Sequence, residues 1–229
     1  MTGKREKLKV VIADDHPLVA FGLHKALDEA GCDVVGTTHD VSDLMDLLAH
    51  RECDILIADY SMPGRGSPDG WRFLSIVSRE FPDLRILVYT EFHEPFLVGS
   101  LEQRGVAGIV SKSDEMSEVL TAVRELERGA SYLSATARAA LYQYRSNPEL
   151  QRFGMLTARQ MEIAGLMLCG ISGREIASLM QRRKSAISSQ SIKVRSLLGF
   201  DRLSELHRFA SNLGLKLDRF GPGDLSHAA

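Results

Sequence analysis

Short apolar runs alternate with helical patterns over about the first 130 residues. Five runs are almost continuously apolar: Lys9–Ala13, Asp33–Thr37, Asp54–Ala58, Arg85–Thr90 and Gly108–Ser111. The stretches between them carry apolar residues at i, i+3 and i+4, the spacing of one helix face. Buried strands that alternate with helices predict a parallel sheet covered on both faces. We therefore expect a doubly wound α/β domain.

The pattern becomes wholly helical after Leu156. Thr157 and Gln160 predict a capping box at the start of the first of four helices. The other three are expected at Gly173–Met180, Lys184–Leu198 and Arg202–Leu213, with Gly199 as the C-cap of the third. Two short helices joined by a tight polar turn are typical of a helix-turn-helix domain.

The segment between the two parts is too apolar for a free tether. We expect a short helix packed on one domain, followed by a flexible joint near Ser146–Gly154. The predicted division is 1–131 for the α/β domain, 132–153 for the linker, 154–217 for the helical domain and 218–229 for a C-terminal tail.

The net charge of −2 conceals two oppositely charged parts. Leu150–Ala229 contains 12 Lys and Arg against 6 Asp and Glu, a net charge of +6, and the rest of the chain contains 16 against 24, a net charge of −8. This asymmetry indicates an acidic module joined to a basic module that binds nucleic acid. On charge alone, two solvated surfaces of unequal charge explain it equally well.

Cysteine usage and hydropathy predict a cytoplasmic protein. Cys32, Cys53 and Cys169 are odd in number and lack the spacing of a metal site, as expected of thiols in a reducing compartment. The N-terminal apolar run is short and ends in aspartates, unlike a signal peptide. No stretch approaches the length of a membrane span, so we expect no membrane contact.

Polar residues follow four of the five predicted strands. The first strand ends in Asp14 and Asp15, the third in Asp59, the fourth in Thr90 and the fifth in Lys112. Singly, such residues are usually turns, caps or solvated charges. Since ligands bind outside the carboxyl ends of strands in open parallel sheets, we expect all five to converge on one site.

These residue types suit a cation and a phosphoryl group. Three clustered carboxylates hold their charge most easily around a cation, and oxygen ligands favour Mg²⁺. Lys112 and Thr90 supply an ammonium and a hydroxyl for phosphoryl oxygens. One carboxylate beside Mg²⁺ can act as a nucleophile and form an aspartyl-phosphate.

The third predicted helix of the second module has an unusual outer face. Its inner face carries Ile187, Ser191, Val194 and Leu198, whereas the opposite face carries small hydroxyls, a lysine and an isoleucine. Such a face suits the DNA major groove, where serines tolerate several base edges and Ile192 meets a thymine methyl. The expected base and phosphate contacts come from Lys184, Ser185, Ser188, Ser189, Ile192 and Lys193, with further phosphate contacts from Arg182, Arg183 and Arg195. The alternative is a basic solvated helix.

The motifs VVIADDHPLVAFGL, ILIADYSMPG, ILVYT and GIVSK resemble the receiver domains of response regulators. The resemblance implies a five-stranded flavodoxin-like fold that is phosphorylated at Asp59 by a sensor histidine kinase or a phosphotransfer protein. It implies that Asp14, Asp15, Asp59 and the Ser61 carbonyl bind Mg²⁺, and that Thr90 and Lys112 sense the phosphoryl group. Receivers usually carry a Tyr or Phe as a switch residue where this chain has Ile109.

The segment from Leu156 to Phe200 resembles the LuxR-type DNA-binding domain of the NarL/FixJ class. The resemblance implies a transcription regulator that binds double-stranded DNA as a homodimer, or as a heterodimer with an auxiliary regulator. Ser188, Ser189 and Ile192 match groove-facing positions of that class.

Two alternatives to a phosphorylation-controlled regulator stay open. Because of Ile109, the receiver could serve as a dimerisation or partner platform that works without phosphate. The other alternative is a Mg²⁺-dependent phosphohydrolase, but the position two residues after the nucleophile, where such enzymes commonly carry an Asp, is Ser61. We therefore expect no enzyme activity.

Overall fold

A parallel β-sheet forms the centre of the first module in the computed structural model, which describes residues 7–62 and 70–212. Among these residues the sheet has six strands in the order β2-β1-β3-β4-β5-β6. The strands are β1 (Lys9–Ala13), β2 (Asp33–Thr38), β3 (Ile55–Ala58), β4 (Arg85–Thr90), β5 (Gly108–Ser111) and β6 (Tyr132–Leu133). The doubly wound parallel sheet is confirmed, with one strand more than the five expected.

In the described part of the first module, five helices cover both faces of the sheet. They are α1 (Pro17–Glu29), α2 (Val41–His50), α3 (Trp71–Glu80), α4 (Pro95–Gln103) and α5 (Met116–Glu127). Successive side chains of a strand point to opposite faces. Val10 and Ile12 of β1 therefore join the core formed with α1 and α5, whereas Val11 and Ala13 join the core formed with α2, α3 and α4.

The segment predicted as a linker begins inside the receiver. Tyr132 and Leu133 form the sixth strand by pairing with Gly108 and Ile109 of β5. The next helix, α6 (Ala135–Ser146), packs along α4. This approach depends on Gly99 of α4, since a Cβ there would lie 2.2 Å from the ring of Tyr144.

The described part of the second module contains four helices, as predicted. They are α8 (Ala158–Leu168), α9 (Gly173–Leu179), α10 (Lys184–Leu198) and α11 (Leu203–Asn212). Thr157 and Gln160 form the predicted capping box of α8, and Gly199 ends α10 in the left-handed conformation at φ +80°. The C-terminal residues assigned to the end of this module and to the tail, 213–229, lie outside the described residues.

The expected flexible joint is two short packed helices, α7 (Pro148–Gln151) and a 3-10 helix (Arg152–Met155). Phe153 is fully buried between the modules. Its ring centroid lies 4.8 Å from that of Phe96 in α4 and 6.5 Å from that of Phe209 in α11. The core on this side of the sheet therefore continues into the helical module.

Candidate functional site: a buried acidic pocket and an exposed helix

The residues that directly follow β1, β3 and β5 meet in one buried pocket. The Lys112 Nζ lies 2.8 Å from the Asp14 Oδ2 and 2.8 Å from the Asp59 Oδ2. Asp14 is 1% exposed and Asp59 is 4% exposed. The topology explains the convergence, because β1, β3, β4 and β5 are parallel and adjacent in the sheet. One ammonium thus bridges two carboxylates away from bulk water.

Burial dominates the electrostatics of this pocket. It raises the pKa of Asp59 to about 6, and the charge of Asp14 adds to that rise, whereas Lys112 opposes it. Burial alone would lower the pKa of Lys112, but Asp59 and Asp14 raise it above its ordinary value. Lys112 therefore keeps its charge at neutral pH. Asp59 is also charged at neutral pH, but its burial makes the charged form less favourable than it is in water.

Asp15 and His16 line the outer side of the pocket. The His16 Nδ1 lies 2.8 Å from the Asp15 Oδ1 and 3.4 Å from the Asp14 Oδ1, and the His16 backbone N–H donates to the Asp14 Oδ1 at 2.9 Å. Ligand atoms of Asp14, Asp15, His16 and Asp59 lie within 4.8 Å of one another. The three acids were predicted at this site from the sequence, but His16 was not. Its position directly after Asp14 and Asp15 was the signal that could have indicated it.

The donor set of this cluster fits a hard cation. Among the described residues, the cluster holds three carboxylates and one ammonium, so two negative charges are left over when all three acids are ionised. Ser61, predicted to contribute its carbonyl, lies beside Asp59 and donates its backbone N–H to the Asp59 Oδ1 at 3.3 Å.

The two predicted switch residues lie in the neighbouring strands. Thr90 ends β4 and is fully buried, and its Oγ1 accepts a hydrogen bond from the Phe92 backbone N–H at 3.1 Å. Ile109 is 1% exposed and packs in the core on the α4 side of the sheet. An aliphatic side chain enclosed in this way has no hydroxyl or aromatic ring that could turn from solvent into the core, as the usual Tyr or Phe switch does.

The face of α10 that is predicted to contact DNA is exposed. All six predicted contact residues are exposed: Lys184, Ser185, Ser188, Ser189, Ile192 and Lys193. Ile192 is 60% exposed, whereas Ile187, Val194 and Leu198 are buried on the opposite face. An exposed branched apolar side chain among serines and lysines suits a surface that contacts another molecule.

Of the three arginines expected to contact phosphates, two are exposed and one is engaged within the module. Arg182 and Arg183 are exposed beside the start of α10. Arg195 is half-buried, and its Nη1 donates to the Asp201 carbonyl at 2.7 Å. This bond anchors the turn after α10, a structural use that the charge pattern did not reveal.

The chain belongs to the response regulators, since residues 10–124 match the response regulator receiver domain family. It is 29% identical over 209 residues to the transcriptional regulatory protein RcsB of Escherichia coli K12, covering 91% of this chain and 96% of that protein. It is also 29% identical over 202 residues to the methanol utilization control regulatory protein MoxX of Paracoccus denitrificans, covering 87% and 89%.

Solved structures of RcsB agree with this assignment. The RcsB response regulator of Salmonella typhimurium, described for its conformational dynamism in DNA interaction, matches with a TM-score of 0.70 at 28% identity, covering 91% of this chain and 98% of that one. RcsB of Salmonella enterica serovar Typhimurium bound to promoter rprA with the phosphomimetic BeF3⁻ also matches at 0.70 and 28%, covering 90% and 99%. The segments SMPGRGSPDG and SAISSQ also resemble the capsule-synthesis regulator B of the Rcs phosphorelay. The expected NarL/FixJ-type regulator is confirmed.

The helices of the described segments are too short or too polar for any of them to cross a bilayer.

Proposed function

We propose that this chain is a DNA-binding transcription regulator controlled by phosphorylation of Asp59. The phosphoryl donor is a sensor histidine kinase or a phosphotransfer protein, and the setting is the cytoplasm. One observation carries the proposal: the chain combines a buried ammonium at 2.8 Å from each of two carboxylates with a helix, α10, whose outer face of serines and lysines is exposed. The relatives support it, because structures of RcsB include complexes with DNA.

In the proposed reaction, an Asp59 carboxylate oxygen attacks the phosphorus of a phosphohistidine. A P–O bond forms while the P–N bond breaks, and the imidazole leaves with the electron pair and takes a proton from solvent. Lys112 then pairs with a phosphoryl oxygen, and the Thr90 hydroxyl donates to another. Asp14, Asp15, Asp59 and the Ser61 carbonyl would hold Mg²⁺, which when bound neutralises charge on the phosphoryl oxygens.

DNA binding by this proposal uses two copies of α10. A homodimer places two recognition helices about 34–36 Å apart on one face of the duplex, and a heterodimer with an auxiliary regulator uses the same geometry. Leu18 and Phe21 of α1 are 82% and 68% exposed and lie about one helical turn apart. They offer an apolar surface for the second copy.

The test is intact mass after incubation with acetyl phosphate and Mg²⁺, with Asp59→Asn as the control. We expect one phosphoryl group on the parent chain and none on the variant, followed by a rise in DNA affinity of the parent. Equal uptake by both chains would refute Asp59 as the acceptor.

Ile109 supports a second candidate, a DNA-binding regulator whose receiver is a dimerisation or partner platform without phosphate. Its burial in the core leaves the receiver without the usual aromatic switch. In the same experiment this candidate predicts DNA binding with no phosphoryl uptake.

A phosphohydrolase is disfavoured because Ser61 occupies the position where such enzymes commonly carry an acid. A turnover assay with p-nitrophenyl phosphate checks this.

A further inference from the structure

The start of the linker is bonded to the loop that carries Lys112. Strand β6 pairs with β5, and the Ser134 backbone N–H donates to the Ile109 carbonyl at 3.0 Å. The Ser134 side chain is fully buried, and its Oγ accepts from the Ser111 N–H at 3.3 Å and from the Ala137 N–H at 3.4 Å. Ser134 is thus both the N-cap of α6 and a support for the residue before Lys112.

A second bond joins α6 to the other side of Lys112. The Thr136 Oγ1 donates to the Asp114 Oδ1 at 2.6 Å. Burial alone would raise the pKa of Asp114, but hydrogen bonds from Ser134 and Thr136 outweigh it and lower the pKa. We call Ser111, Asp114, Ser134 and Thr136 the linker clamp. It holds the residues on both sides of Lys112 against the first turn of α6.

The far end of α6 contacts α4 and the short helix α7. Tyr144 packs on Gly99 of α4, and its hydroxyl donates to the Gln151 carbonyl at 3.3 Å. Arg145 forms an ion pair with Glu102 of α4 at 2.7 Å. One helix therefore runs from the clamp beside the phosphate-sensing lysine to the short helices that precede the DNA-binding module.

We infer that Asp114 and Thr136 are positioning residues that couple phosphorylation to DNA binding by transmitting the displacement of Lys112 to α6. The inference rests on the proposed function. In this inference, Lys112 releases Asp14 to pair with the phosphoryl group, its loop shifts with it, and the clamp carries that shift into α6. Hydrogen bonds to a charged carboxylate are strong and directional, which suits this bond to hold the loop of Lys112 to α6. This route makes no use of an aromatic residue at position 109.

The experiment compares Thr136→Val, which removes the hydroxyl and keeps the shape, with Thr136→Ser, which restores it. Thr121→Val in α5 is the matched control, because its hydroxyl donates to the Ser117 carbonyl of the same helix. Each chain is phosphorylated with acetyl phosphate and Mg²⁺, uptake is followed by intact mass, and binding is measured on a duplex that the parent chain has selected from random sequence.

We expect the parent to gain about 5- to 150-fold in DNA affinity on phosphorylation, the usual range of allosteric coupling. Thr136→Val should take up phosphate and bind normally when unphosphorylated, but lose most of that gain, whereas Thr136→Ser and Thr121→Val keep it. A full gain in Thr136→Val overturns this inference and leaves the proposed function intact. No uptake, or no gain, in the parent overturns both.

Discussion

Replacing Asp59 by Asn is expected to stabilise the protein in the absence of Mg²⁺. In the folded chain the pKa of Asp59 is raised from 3.8 to about 6, chiefly by burial. The folded state therefore binds this proton more tightly than the unfolded state, so ionising Asp59 lowers stability as the pH rises from about 4 to 6. A rise of about two pKa units corresponds to about 3 kcal/mol.

The neutral amide of Asn avoids this cost. We expect Asp59→Asn to raise the free energy of unfolding by about 3 kcal/mol at pH 7.5 and by about half of that at pH 5, with no gain below the unfolded pKa. Urea unfolding in EDTA at the three pH values measures this, with the m-value as a check on two-state behaviour. Asp83→Asn, at an exposed carboxylate, is the control and should change little.

Added Mg²⁺ should shrink the difference, because a cation that binds only the folded parent stabilises it by mass action. A variant that is no more stable than the parent at pH 7.5 in EDTA would refute the electrostatic account of the pocket. A gain of equal size at all three pH values would also refute it, since the effect would then come from packing.

Two further predictions concern α10 and α4. Lys193→Ala should weaken binding to all DNA sequences and reduce the slope of log affinity against log salt by about 0.9. The control Lys25→Ala on α1 should leave that slope unchanged. An unaltered slope in Lys193→Ala would argue against a phosphate contact at this residue. Gly99→Ala should destabilise the fold by about 1–3 kcal/mol in urea unfolding, because the new Cβ meets the Tyr144 ring at 2.2 Å. Gly22→Ala, with nothing within 4 Å, should be neutral or stabilising; equal effects of the two glycine changes would contradict the packing argument.

The sheet and the acidic pocket could be predicted because their signals are local. Each long strand is an apolar run, and the rule that parallel strands end at one edge places Asp14, Asp59 and Lys112 together. Helix α10 was predicted with the bounds that the structure gives it, since Gly199 is the kind of residue that ends a helix.

The linker could not be predicted in this way. Tyr132 and Leu133 are too few for a recognisable strand, and they join the sheet only because β5 offers an unpaired edge. The bond between Thr136 and Asp114 joins residues 22 apart, and no periodicity encodes it. The apolar character of the segment indicated that it packs on a domain, but not that α6 would pack along α4.

The sixth strand changes where this protein can be divided. A receiver that stops at residue 131 loses the edge strand and the Ser134 cap, and it uncovers the apolar surface of α4 that α6 shields. Chimaeras that exchange input modules between regulators should therefore be joined after Ser146, so that each receiver keeps its own covering helix.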